Sequence, residues 1–268
     1  IYSYENCRTP NPCVECNKYL KFGLLYQKAM ELGCDYIATG HYAKAEYSEK
    51  YKQYVLKKSD EENKDQTYFL YTIPKQELEH ILFPLQNLKE KSDTRKIAEE
   101  NGLEIAKKKD SQEICFIPND DYKSFLNKFI KSKEGNIVLR SGEIVGKHNG
   151  IINYTIGQRK GLGVAYKEPL YVLELNKEKN EVIVGTEKEL YSTKLYANEL
   201  NWIIFDKLEN EIECYAKIRY RAKPAKAKVI PEGGKVKVIF EEPQRAITKG
   251  QAVVFYIDDV LIGGGKIL

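Results

Sequence analysis

The stretch from Arg8 to Asn17, Arg-Thr-Pro-Asn-Pro-Cys-Val-Glu-Cys-Asn, constrains the fold more than any other part of the chain. Two prolines one residue apart fix an extended backbone, and beyond them the pattern changes abruptly to helical periodicity. Asn17 suits an N-cap, Phe22, Leu25, Ala29 and Leu32 repeat at helical spacing, and Gly33 supplies a stop. This reading predicts a helix over 17–32 with Cys16 at its N-terminus, where N–H groups and the helix dipole lower a thiol pKa. A Cys-x-x-Cys pair is equally the signature of a zinc knuckle, a redox dithiol or two inert thiols. Cys7, Cys34, Cys115 and Cys214 offer no second pair at zinc spacing, and no strand leads into the pair as a thioredoxin-like motif requires.

The 268 residues have material for two or three domains, and 42% hydrophobic content places them among globular rather than disordered chains. No apolar run is long enough to span a bilayer and no basic-then-apolar leader is present, so the expectation is a soluble cytoplasmic protein without a membrane partner. Six cysteines without a framework-like spacing fit a reducing compartment. A net charge of +4 permits a nucleic-acid partner without requiring one.

Residues 35–39 read as a short buried parallel strand closing on Gly40-His41. A glycine at the carboxyl end of such a strand either admits a ligand or turns the chain. Lys44 to Tyr54 reads as a hairpin turning near Ser48-Glu49-Lys50. Lys64-Asp65-Gln66 offers the cation, carboxylate and carboxamide of an RNA contact, or a plain surface turn; periodicity leaves Thr67 to Ile73 open between helix and strand. A short helix from Ser92 or Asp93 ends at Gly102, and a basic cluster over 106–111 reads as a solvated face. Cys115, between apolar neighbours, reads by default as a buried inert thiol. Beyond residue 121 the pattern shifts to short strands, with some helix over 122–130 and a glycine-rich basic loop carrying Gln158, Arg159 and Lys160. From 201 onward five or six strands, with turns at Gly233-Gly234 and Asp258-Asp259, predict a small barrel. Cations and rings between Tyr215 and Lys228 suit phosphates and bases, or an edge strand guarded by lysines.

The Arg8–Lys18 run resembles the bacterial tRNA-specific 2-thiouridylases of the PP-loop ATPase family. The resemblance continues through Asp35–Tyr42, Lys64–Tyr71, Lys108–Ile117, Thr155–Gly163, Arg219-Tyr220-Arg221 and Gly263-Gly264-Gly265, in one order along nearly the whole chain. It implies an α/β remnant of a PP-loop nucleotide-binding domain over 1–81 and 104–120. A small, mostly β, tRNA-binding middle domain would take 82–103 and 121–200, and a C-terminal β-barrel 201–268. The family pattern also places a Ser-Gly-Gly-Val-Asp-Ser-Ser type phosphate loop upstream, and none is found here. The expectation is therefore an N-terminally truncated chain, inactive by itself.

The implied activity is replacement of the C2 oxygen of a wobble uridine by sulfur, in the tRNAs for lysine, glutamate and glutamine. ATP with magnesium would activate the oxygen, with Gly40 at the nucleotide. Cys115 would carry sulfur as a persulfide received from a carrier protein, and Cys16 would be the nucleophile that takes or releases it. Some members have aspartate where this chain has Cys13, so Cys13 is read as an acid/base group or as a third thiolate. Asn11, Pro12, Cys13, His41, Lys64, Asp65, Gln66, Arg219, Tyr220 and Gln251 are the expected tRNA contacts. Two other arrangements use the same residues: an iron–sulfur cluster on Cys13, Cys16 and Cys115 that activates sulfide, and a tRNA-binding module with incidental thiols.

Overall fold

The computed structural model describes residues 1–61, 64–88, 91–104, 114–117 and 121–268. The basic cluster at 106–111 lies outside them. A short helix α1 (Tyr2–Glu5) precedes the proline-rich stretch. Helix α2 (Pro12–Cys16) then begins five residues earlier than the periodicity predicts. Asn11, still extended at φ −109° and ψ 93°, is the cap, and its side chain accepts from the Val14 N–H at 3.4 Å. Pro12 takes the first helical position, where its fixed φ fits and its missing N–H costs nothing.

The helix continues without a break as a π-helix over Asn17–Leu25 and then as α3 (Tyr26–Glu31), stopping at Gly33 with φ +78°. Two expectations are corrected here. Cys16 ends α2 rather than starting a helix, so the N-terminal dipole argument for its thiolate fails. The apolar stripe is also broken: Phe22 is 2% exposed, but Leu25 and Leu32 are 54% and 71% exposed. A π-helix bonds i to i+5 and turns less per residue than an α-helix, which swings Leu25 off the face that holds Phe22. Gly23 makes the winding possible, because a Cβ there would lie 2.8 Å from the Lys18 carbonyl oxygen.

Strand β1 (Ile37–Ala38) pairs in parallel with β4 (Ile81–Leu82), as the apolar run at 35–39 predicts. Between them β2 (Lys44–Ser48) and β3 (Gln53–Lys57) form the expected hairpin, with Lys52 at φ +52° in its turn. Thr67–Phe69, which periodicity leaves open, is a single 3₁₀ turn. Helix α4 (Lys91–Glu100) ends before Gly102 at φ +67°. Helix α5 (Tyr122–Asn127), capped by the Asp121 side chain, is shorter than expected.

The middle region is a four-stranded sheet of β5 (Gly135–Leu139), β6 (Ile144–His148), β7 (Tyr171–Asn176) and β8 (Glu181–Gly185), in the order β6-β5-β8-β7. Next come β9 (Tyr191–Trp202), β10 (Ile212–Lys217), β11 (Ala225–Glu232), β12 (Lys235–Arg245), β13 (Ala252–Ile257) and β14 (Val260–Ile267). Their order β13-β10-β11-β12-β9-β14, with β13 paired to β14, closes a six-stranded barrel. Most of β9 precedes residue 201, so the first barrel strand crosses the boundary expected at 200/201.

The barrel does not stand apart from the first segment. Strand β13 sends Val253 and Phe255 into the barrel core, while Ala252, Val254 and Tyr256 join Val14, Phe22, Ile37, Tyr68 and Ile81 in a second core outside it. Burial on both faces is why residues 252–256 read as an unbroken apolar run instead of an alternating one.

Candidate active site at the cysteine turn

The proline-rich stretch is held against the barrel by its backbone. The Thr9 N–H donates to the Lys249 carbonyl at 2.9 Å, and Gln251 Nε2 donates to the Thr9 and Pro10 carbonyls at 3.0 and 3.3 Å. Gly250, at φ +89°, lets the two chains close up: a Cβ there would meet Arg8 and Thr9 at 3.0–3.2 Å. Lys266 adds an ion pair to Glu15 at 3.5 Å. Gln251, an expected tRNA contact, therefore spends its amide on holding the approach to Cys13.

This anchoring sets out the thiols. Cys13 is exposed at the second position of α2, Cys16 is half-buried, and Cys115 is exposed rather than buried as its apolar neighbours suggest. Burial pushes the Cys13 thiol pKa up, with Cys115 and Cys16 adding to the rise and Lys21 opposing it. Cys16 on the same helix and Cys115 a hundred residues away in sequence thus both lie near Cys13. A pocket of about 230 Å³ lies between the two cysteine-bearing segments, lined by Thr9 and Pro10 on one side and by Ile114 and Ile117 on the other. Tyr4, Tyr122 and Thr155 complete its wall. No group of three or more His, Cys, Asp or Glu among the described residues is gathered so as to hold a metal ion. Cys13, Cys16 and Cys115 are accordingly not drawn together here as the thiolates of an iron–sulfur cluster would be.

Gly40 is exposed just past the end of β1. A Cβ on it would meet only Leu85 Cδ1, at 3.8 Å, so the fold itself does not demand glycine there. His41, 8% exposed, packs on Phe22 and Phe83 at ring separations of 6.0 and 6.3 Å. Its Nδ1 is 2.9 Å from Thr39 Oγ1 and its Nε2 is 3.3 Å from Lys21 Nζ. An ammonium only donates, so Nε2 accepts and the ring proton sits on Nδ1, donating to Thr39. Burial, then the Lys21 charge, lowers the His41 pKa to about 4, and the ring is neutral at physiological pH.

Several other polar residues expected to touch RNA are turned inward. The Asp65 carboxylate accepts from the Thr67 N–H and hydroxyl and from the Ser59 N–H, and burial raises its pKa. Gln66 accepts from the Tyr42 N–H at 2.9 Å, and Lys64 lies over the Tyr42 ring at 4.6 Å. Arg219 donates through one nitrogen to the carbonyls of Ile156 and Ala246, each at 3.1 Å, and to the Thr248 hydroxyl. Tyr220 packs its ring on Phe69 at 4.5 Å. The structure brings Asn11, Pro12, Cys13, Cys16 and Cys115 together. It places Asp65, Gln66, Arg219 and Gln251 as supports.

Sequence reasoning misses Lys21 and Thr39. Lys21 is five residues beyond Cys16, a spacing that carries no signal while the segment is taken as an α-helix.

Three domain families match the chain: the tRNA methyl transferase HUP domain over residues 1–119, the tRNA methyl transferase PRC-barrel domain over 123–186, and the Aminomethyltransferase beta-barrel domain over 192–267. Among curated proteins, a tRNA-specific 2-thiouridylase MnmA of Clostridium botulinum (strain Alaska E43 / Type E3) is 54% identical, covering 100% of this chain and 74% of the relative. MnmA 2 of the Hall strain of C. botulinum and MnmA of Clostridium beijerinckii are each 51% identical over 100% of the chain, which spans 76% and 75% of them. Identity above one half over the full chain, with the three domain matches in order, is a closer relationship than one shared fold. The chain belongs to the tRNA-specific 2-thiouridylase family.

Proposed function

We propose that this protein replaces the C2 oxygen of a tRNA uridine by sulfur, with Cys115 as the sulfur carrier and Cys16 as the resolving nucleophile. The observation that carries the reading is that Cys115 and Cys16 are both near enough to Cys13 to act on its thiol, with the residues flanking Cys115 and the proline-rich stretch lining one pocket. A carbonyl oxygen is a poor leaving group, and ATP supplies the adenylyl group that turns it into one, releasing pyrophosphate. Gly40, at the carboxyl end of a parallel strand with open space before it, is the residue suited to lie against the nucleotide. Magnesium would accompany the phosphates.

The sulfur step balances on two cysteines. Cys115 holds an outer sulfur as a persulfide, delivered by a carrier protein. The Cys16 thiolate attacks the inner sulfur, a Cys16–Cys115 disulfide forms, and hydrosulfide leaves. Hydrosulfide adds to the activated C2, and AMP departs with the original oxygen. Two electrons have then passed from the thiols to the sulfur, and a reductant must restore the dithiol before the next turnover. Cys13 lies beside the reacting thiols as a weak acid whose raised pKa keeps its proton on, which suits it to donate rather than accept. Asn11, Pro12 and Cys13 line the place where a base extracted from the anticodon stack would meet the thiols. The wobble uridine of the lysine, glutamate and glutamine tRNAs is the proposed target.

The test is 2-thiouridine formation from unmodified tRNA, ATP and a persulfide donor, with the phosphate-loop segment of the family pattern joined ahead of the chain, read by nucleoside mass spectrometry. Cys16→Ser and Cys115→Ser are each expected to abolish product while tRNA binding persists. Full activity in either variant would remove that cysteine from the reaction.

A further inference from the structure

We propose that a row of phenylalanines beginning beside Cys115 is the docking surface for the protein that delivers the sulfur, a donor carrying it as a cysteine persulfide. This rests on Cys115 being the sulfur carrier. Phe116, 55% exposed, packs its ring on Phe125 at 5.7 Å, and Phe125 packs on Phe129, 60% exposed, at 5.2 Å. Helix α5 sets the second pair: Phe125 lies on it and Phe129 comes four residues later, the spacing that puts two side chains next to each other. The Phe129 N–H donates to the Leu126 carbonyl at 2.9 Å, which holds the end of the row in place. Leu126 supplies the buried side of α5, so the phenylalanines form a separate cluster, joining the Cys115 segment to the start of the middle domain.

The chemistry brings the donor to this place. The Cys115 thiolate attacks the outer sulfur of the donor's persulfide, whose S–S bond breaks as a new one forms on Cys115. The donor cysteine leaves as a thiolate and takes up a proton, so there is no net oxidation and no further reactant. The two sulfurs must touch, and Cys115 is exposed, so the surface around the donor's cysteine has to cover its neighbour Phe116. Aromatic rings are the side chains that anchor such contacts. Lys123 on α5 and Lys128 at its C-cap are both exposed and give the row a basic rim, which an acidic rim on the donor complements. RNA is the other macromolecule that rings and cations together suit. Successive bases stack face to face on aromatic rings, whereas these rings are tilted 58° and 57° from their neighbours and share no plane for such a stack.

The experiment follows the sulfur step alone, on the full chain without tRNA or ATP. Labelled sulfur is offered either by a cysteine desulfurase charged with labelled cysteine or by glutathione persulfide, and its arrival on Cys115 is timed by peptide mapping. Phe129→Ser, at the far end of the row from the thiol, is expected to slow labelling by the desulfurase about tenfold. Labelling by glutathione persulfide is expected to stay unchanged, since a small donor needs no docking surface. Leu24→Ser removes a comparably exposed apolar side chain elsewhere, at 64%, and is expected to alter neither rate. Buried Cys214 stays protected from alkylation while the variants remain folded. Unaltered labelling by both donors in Phe129→Ser, or equal slowing with both, would overturn the docking surface. So would weaker tRNA binding with desulfurase transfer intact, the result that a base-stacking surface gives. If the wild-type Cys115 takes label from neither donor, its role as sulfur carrier fails, and the docking surface fails with it.

Discussion

The first segment and the middle domain are both attached to the barrel, but by different physics. The first segment shares a core with it: Ala252, Val254, Tyr256 and Leu261 pack among Phe22, Tyr68, Tyr71 and Ile81. The middle domain meets the barrel through a small apolar cluster of Tyr171, Leu173, Leu190 and Ala246 and through polar ties. Chief among these are the Arg219 bonds to Ile156, Ala246 and Thr248, the Arg245–Glu187 pair at 3.2 Å, and Arg245 over the Tyr171 ring at 5.3 Å. A broad apolar seam fixes position, because shifting it exposes many side chains at once. A few directional bonds hold one geometry and release it when one donor is lost. The cysteine turn lies on the seam side. The Thr155–Gly163 loop, with its Gln158, Arg159 and Lys160, lies on the clamp side.

Breaking the seam is expected to have the largest effect. A Cβ on Gly264 would lie 2.6 Å from Tyr71 Cδ2, so Gly264→Val drives the barrel and first segment apart. A loss of about 3 kcal/mol is expected, read by denaturant unfolding with the single tryptophan, Trp202, as reporter. Unchanged stability would mean that the seam is not tightly packed.

A pH titration tests the same side from within. The His41 pKa is lowered from 6.5 in the unfolded chain to about 4 in the folded one, so between those values the unfolded state binds more protons. Stability falls as pH drops from 6.5 towards 4 and levels off below, with a contribution of about 3 kcal/mol. Glu77, with a pKa raised by burial from 4.5 to about 7, acts in the opposite sense, losing stability as pH rises between those values. Comparing wild type with His41→Gln isolates the histidine, and parallel curves would refute its buried, neutral state.

Breaking the clamp comes next. Arg219→Ala leaves the Ile156 carbonyl and the Thr248 hydroxyl without the donor they now have and takes one of two donors from the Ala246 carbonyl, at about 2 kcal/mol. It is expected to separate hydrogen-exchange protection of β5–β8 from that of the barrel, which Gly264→Val would not do. Retained coupling would place the attachment elsewhere. Gln251→Ala is the smallest, about 1 kcal/mol in stability, because only the hold on Thr9 and Pro10 is lost. It is expected to lower kcat for thiolation with little change in the KM for tRNA. A KM effect alone would instead make Gln251 a tRNA contact.

Much of this architecture is legible in the residues. Gly233-Gly234 and Asp258-Asp259 do mark hairpin turns, the run at 35–39 does yield a parallel strand, and Gly33 and Gly102 do end helices. The start of α2 is hard to place from the residues because two candidate caps, Asn11 and Asn17, sit one and a half turns apart. Pro12, an extended-chain residue by its pattern, is also a good first helical residue. In the site, the cysteines are visible by type and motif. The inward turn of Asp65, Gln66 and Arg219 is not, because a polar side chain that binds a backbone carbonyl and one that binds a phosphate look the same in a sequence.

The sequence alone determined the family, the order of helical and stranded regions, and which thiols to watch, since these rest on local pattern and on motifs read in order. Only the tertiary structure decided that Cys115 comes near the Cys13–Cys16 turn, that the barrel carries a second core on its outer face, and that Lys21 meets the buried His41. Each of these depends on contacts between residues far apart in the chain, or on the π winding that Gly23 permits and that α periodicity does not anticipate.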